Sequence, residues 1–166
     1  MTTNETLPTP GGAAAAHVPA PARRIVLPKL APAYYQAMVA VDQAARAGLD
    51  PVIVELVKLH ASMINGCAYC IDMHSTDAVA HGEREHRLLS LPAWRETPWF
   101  TARERAALAL TESVTLLTSG HVPDAVWAEA AEQFEETELA QLVALIATIN
   151  AWNRIGVSTR MSPAAK

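Results

Sequence analysis

The stretch from Glu136 to Val157 constrains this chain more than any other, because it is helical in pattern and apolar nearly all round. Leu142, Val143, Leu145, Ile146 and Ile149 do not fit one narrow stripe, so a helix carrying them must be covered on most of its sides. The chain has 166 residues, enough for one domain with a substantial core and too few for two. A subunit interface is therefore expected to supply part of the cover.

The rest of the sequence is helical in the same sense. "PAYYQAMVAVDQAARAGL" opens on Pro32 and closes on Gly48, a helix followed by a stop. Asp50-Pro51 reads as an N-cap with proline at the first helical position. Behind it Ile53, Leu56 or Val57, and Met63 or Ile64 recur at helical spacing, up to Asn65-Gly66. A third helix is expected from near Cys67 to about His81-Gly82. "EREHRLLSLPAWRETPWF" is a proline-interrupted connector with room for one short helix. Thr101 with Glu104 makes a capping box, and Ala107, Leu110, Val114 and Leu117 form the stripe behind it. Pro123 opens a further amphipathic helix. No segment alternates apolar and polar residues at period two. With 5% aromatic residues and abundant alanine, the expected fold is an all-α, single-domain helical bundle.

Residues 1–22 are rich in Ala, Pro, Thr and Gly and read as a flexible arm. The helical domain is expected over 23–160, with a tail over 161–166. No basic n-region with an apolar stretch is present, and no apolar run reaches the roughly 18 residues of a membrane span. The expected setting is the cytoplasm. A formal charge of −4 without like-charge blocks argues against a nucleic-acid partner.

The chemistry-bearing segment is "NGCAYCIDMH", residues 65–74, which holds both cysteines. In a reducing compartment such a pair is more often redox-active or metal-binding than structural. A helix beginning near Cys67 sets its positive end and unsatisfied amides beside both sulfurs, favouring thiolate. Cys70 and His74 are four apart and share a face, so the imidazole can accept the thiol proton. The helix start favours Cys67 as the lower-pKa thiol, whereas pairing with His74 favours Cys70.

A carboxylate is needed to orient His74, and Glu55, alone in the apolar run "VIVELV", is the candidate. On an unbroken helix it would lie about 18 Å from Cys67. A fold-back at Asn65-Gly66 sets it instead opposite residues near Thr76, one turn from His74. Asp72 and Asp77 are assigned to other faces of the third helix. A closed zinc site needs four ligands. Cys67, Cys70, His74 and Glu55 could number four, but with no second cysteine pair no metal is expected. His60, His81, His86 and His121 show no partner pattern, and the four tryptophans read as packing residues.

"KLHASMINGCAYCIDMH" with its upstream glutamate resembles the core motif of the carboxymuconolactone decarboxylase-like superfamily, in its alkylhydroperoxidase D-like branch. That pattern is Glu, eleven residues, Cys-x-x-Cys, three residues, His, and Glu55, Cys67, Cys70 and His74 match it. The similarity runs on through "LPAWRETPWFTARERAALALTESVTLL" and "IATINAWNRIGVSTR", over roughly residues 30–160. Tyr69 stands where the best-studied members carry histidine, Met63 where many carry glutamine, and His60 where arginine is frequent.

The resemblance implies homo-oligomers, commonly trimers or hexamers, and a thiol-dependent peroxidase of the alkyl hydroperoxide reductase type. In that scheme Cys70 is peroxidatic, Cys67 resolves it as a disulfide, and Glu55 with His74 relays protons. The expected partners are a hydroperoxide substrate and an external dithiol or lipoyl-type reductant protein, with no organic cofactor. Two alternatives carry different chemistry. One is a non-catalytic redox sensor or oligomeric binding protein using the same disulfide. The other is a carboxymuconolactone decarboxylase-type lyase, although that namesake lacks the cysteine pair.

Overall fold

A computed structural model describes residues 18–164. These form eight α-helices and no strand: α1 (Leu27–Leu30), α2 (Pro32–Ala45), α3 (Pro51–Ile64), α4 (Ala68–Ala80), α5 (Glu85–Ser90), α6 (Ala102–Thr115), α7 (Asp124–Gln133) and α8 (Glu136–Thr159). A 3₁₀ segment, Leu91–Glu96, joins α5 to α6 and kinks at Ala93. The all-α expectation holds. Most of the expected N-terminal arm lies outside the described residues. Its described end is exposed, and Arg24 is tied through its backbone N–H to Thr159 O at 3.0 Å.

Local chemistry sets the helix starts. The Asp50 carboxylate accepts from Val52 N at 2.7 Å, and Pro51 occupies the first turn, where no donor is required. Thr101 Oγ1 accepts from Glu104 N, and the Glu104 carboxylate accepts from Thr101 N, the reciprocal box expected from sequence. Glu104 also receives the Arg87 guanidinium at 2.6 Å, which ties α5 to α6. Three details depart from the sequence reading. The four-residue α1 has no counterpart in it. α6 ends at Thr115, so Leu117 falls beyond the helix and is half exposed. Trp99 and Trp127 are likewise half exposed, and only Trp94 is a buried packing residue.

Two helices run through the interior. α8 packs against α2, α3, α4, α6 and α7, so most of the cover its all-round apolar surface requires comes from its own chain. The interface invoked for it from sequence is not needed on that ground. α3 is buried continuously from Ile53 to Ser62. On one side its Ile53, Val54 and Val57 meet Leu142, Leu145 and Ile146 of α8 and Ala106, Ala107 and Leu110 of α6. On the other, Leu56 and Leu59 meet Ala78, Leu88, Leu91, Trp94 and Leu108. Each fully buried leucine or isoleucine contributes about 1.5–3 kcal/mol. α3 also carries Glu55, Lys58 and His60 into this interior, and each buried polar group needs a partner there. None of the described helices is long and apolar enough to cross a membrane.

Candidate functional site

The reversal between α3 and α4 sets the site. Asn65 caps α3, and Gly66 takes the left-handed conformation at φ +65°, which a side chain would strain. Cys67 N then donates to Ser62 O at 3.0 Å. The turn is fastened to α8: the Asn65 amide lies 3.0 Å from Oδ1 of both Asn150 and Asn153, and Asn153 donates to Ser62 Oγ at 2.9 Å.

Cys67 is the N-cap of α4 and Cys70 stands in its first turn. Their Cα atoms are 5.3 Å apart and their sulfurs are joined as a disulfide. Both cysteines are buried, at the positive end of a 13-residue helix. α8 lies directly against the sulfurs at Gly156, where a Cβ would fall 2.9 Å from Cys67 Sγ and 3.6 Å from Cys70 Sγ. Glycine within a helix costs about 1 kcal/mol relative to alanine; here its bare backbone makes room for the disulfide.

The fold-back brings Glu55 to His74. Glu55 Oε2 lies 3.0 Å from His74 Nδ1, and both side chains are more than nine-tenths buried. A carboxylate accepting from Nδ1–H leaves Nε2 as the nitrogen free to take up a proton. Asp77 belongs to the same group: ligand atoms of Glu55, His74 and Asp77 all lie within 4.8 Å of one another. Its assignment to another face of α4 is thus corrected, since residues three apart on a helix are neighbours.

Cys70, His74 and Glu55 line one cavity of about 270 Å³, together with Tyr69 and Met73 of α4. Tyr35 and Trp152 form its aromatic wall, packed edge to face with centroids 5.5 Å apart. Cys70 is among the residues that line the cavity, and Cys67 is not.

The cavity lining also carries charge. Lys58, 2% exposed, donates to Asp42 Oδ1 at 2.7 Å, and Arg46 pairs with Asp42 Oδ2. Burial alone would raise the Asp42 pKa, but hydrogen bonds and charge from Lys58 and Arg46 overcome it and hold the carboxyl below its ordinary range. Asp42, Arg46, Lys58 and Gly156 have no role in the sequence reading. Lys58 shows the same sign that found Glu55, a charge inside an apolar helix. Gly156 shows another, a glycine in a helix interior.

Elsewhere, buried His60 has its Nε2 at 3.1 Å from Glu112 Oε1, which also accepts from Trp94 Nε1 at 2.8 Å. Burial holds the His60 pKa below 6.5 against the pull of Glu112. This dyad does not line the cavity.

Residues 32–113 match the Carboxymuconolactone decarboxylase family, a span containing Glu55, Cys67, Cys70 and His74. The uncharacterized protein YdfG of Bacillus subtilis is 43% identical over 112 residues, covering 68% of this chain and 76% of its own length. YnjA of Escherichia coli, also uncharacterized, is 32% identical over 105 residues, covering 63% of this chain and 57% of its own. In three dimensions the chain is similar to ATU0492 of Agrobacterium tumefaciens, a protein of unknown function and candidate antioxidant defence protein AhpD. The two share 33% identity and a TM-score of 0.85, over 87% of this chain and all of the other. Sequence and fold agree, and the chain belongs to the carboxymuconolactone decarboxylase family, in its alkylhydroperoxidase D-like form.

Proposed function

We propose that the chain is a thiol-dependent peroxidase that cycles between the Cys67–Cys70 disulfide and the dithiol. The observation that carries this reading is the asymmetry of the pair: Cys70 lines the cavity together with His74 and Glu55, and Cys67 does not. The attacking sulfur has to meet substrate, and the resolving sulfur has only to meet its partner.

In the reduced chain His74 Nε2 takes the Cys70 proton, and Glu55 on Nδ1 stabilises the imidazolium that results. The thiolate attacks the terminal oxygen of a hydroperoxide. The S–O bond forms as the O–O bond breaks, and the leaving alkoxide takes the proton back from His74 as an alcohol. Cys70 is now a sulfenic acid, two electrons more oxidised. The Cys67 thiol condenses with it, releasing water and forming the disulfide. An external dithiol, free or on a lipoyl-type carrier, returns the two electrons by thiol–disulfide exchange. No organic cofactor enters this cycle. Homo-oligomers are part of the proposal, on the resemblance to the family alone.

The test is turnover. Purified protein with dihydrolipoamide should consume an organic hydroperoxide catalytically, with alcohol formed in equal amount. One slow oxidation without turnover would instead favour a redox sensor, and lyase activity surviving loss of both thiols would favour the decarboxylase chemistry.

A further inference from the structure

We propose that Glu55, His74 and Asp77 form a binding site for a divalent transition-metal ion of the zinc class, completed by the Cys70 thiolate when the disulfide is open. The binding stands on geometry alone. Its consequence, inhibition, rests on the peroxidase reading.

Cys70, His74 and Asp77 occupy positions i, i+4 and i+7 of α4 and so share one face. Glu55 meets that face from α3. All four line the same cavity. The ligand atoms of Glu55, His74 and Asp77 already lie within 4.8 Å of one another. Around a tetrahedral zinc ion, ligand atoms stand about 3.5 Å apart. The closure required is small, and exposed Asp77 is free to turn inward to make it.

Charge favours a cation here. Among the described residues neither Glu55 nor Asp77 forms an ion pair with lysine or arginine. The two cations lining the cavity, Lys58 and Arg46, are both held by Asp42. One imidazole, two carboxylates and a thiolate suit zinc, cobalt or nickel. Calcium and magnesium take six or more oxygen ligands and are not suited.

The sulfur makes the site redox-dependent. In the disulfide, Cys70 has no thiolate to offer and three ligands remain. When an external dithiol opens the bond, a fourth becomes available, and metal binding releases its proton. A metal on Cys70 and on His74 Nδ1, the nitrogen 3.0 Å from Glu55, occupies the nucleophile and removes the carboxylate hydrogen bond that supports its base. The ion would then act as a reversible inhibitor of the reduced form, not as a resident cofactor.

Cobalt(II) serves as the probe, titrated into the whole chain, reduced or oxidised, without competing thiols. The reduced chain should bind one equivalent, with the visible bands of tetrahedral cobalt and a thiolate-to-cobalt charge-transfer band. The oxidised chain should bind at least about tenfold more weakly and without the charge-transfer band. Asp77→Asn should weaken binding about tenfold with the fold intact by circular dichroism, and Cys70→Ser should abolish the thiolate band. No binding, an octahedral spectrum indifferent to Asp77→Asn, or a thiolate band kept in Cys70→Ser would overturn the site. Zinc should also suppress peroxide turnover at the occupancy the cobalt titration defines; turnover unaffected by bound metal would overturn the inhibition. A chain that binds cobalt as stated but shows no turnover would keep the site and refute the peroxidase.

Discussion

Replacing Asp42 by asparagine should destabilise the protein far more than replacing Lys58 by methionine, and the two changes together should largely cancel. Lys58 is fully enclosed, with its ammonium 2.7 Å from Asp42 Oδ1. Without that carboxylate a buried charge has no counter-ion, and breaking such a pair costs about 3–5 kcal/mol. Asparagine keeps the volume and one acceptor, so the lower end applies. At about 2–4 °C per kcal/mol for a chain of this size, Tm should fall by roughly 6–12 °C. Lys58→Met leaves Asp42 with Arg46 beside it, at the edge of the cavity. Its cost should be nearer 1–2 kcal/mol, a pair lost but no charge stranded. In the double variant neither charge remains, and stability should return to within about 1 kcal/mol of wild type. Urea unfolding of the oxidised chain, with matched m-values, reads all three. A cost below about 0.5 kcal/mol for Asp42→Asn, or a double variant no better than the sum of the singles, would refute the reasoning.

Glu55→Gln replaces a charge-assisted hydrogen bond on His74 with a neutral one, a loss of about 1–1.5 kcal/mol. Alkylation of Cys70 in the reduced chain should slow roughly five- to tenfold at neutral pH, with its pH–rate midpoint moved upward; an unchanged profile would remove Glu55 from the relay. Gly156→Val pushes carbon atoms onto Cys67 Sγ and should destabilise by about 1–3 kcal/mol, whereas no loss by urea unfolding would mean that α8 does not press on the sulfurs. Stability should fall with pH below 6.5, the ordinary histidine value, because the unfolded chain protonates His60 before the folded chain does. The His60 contribution to the slope is at most about 1.4 kcal/mol per unit, and His60→Gln should remove that contribution. Asp42 and Glu112, both held low, add a further loss only below about pH 4.5, where the unfolded carboxylates protonate first.

How much of this could be read from the sequence depended on the range of the interaction. Asp50-Pro51, Thr101 with Glu104, and Asn65-Gly66 act within one turn of backbone, and the helices start or stop where those residues say. Glu55 and His74 are nineteen residues apart, yet one glycine turn joins their helices, so a fold-back brings them together. Asp42 and Lys58 are separated by a loop whose path no local signal sets, and their pairing was not legible. Nor was the close pass of α8 over the disulfide, although Gly156 carried its mark. Asp77 was misjudged by treating a three-residue step as a change of face. The apolar surface of α8 correctly demanded cover, but whether that cover came from the same chain or another is a matter of packing.

The central claim is that Cys70 attacks and Cys67 resolves. It is tested most directly by reducing Cys67→Ser and Cys70→Ser, exposing each to one equivalent of an organic hydroperoxide, and locating the trapped sulfenic acid by mass spectrometry. The account predicts a stable sulfenic acid on Cys70 in Cys67→Ser, and slow or no oxidation of Cys67 in Cys70→Ser. Rapid sulfenic acid formation on Cys67 in Cys70→Ser, with Cys70 inert in Cys67→Ser, would contradict it.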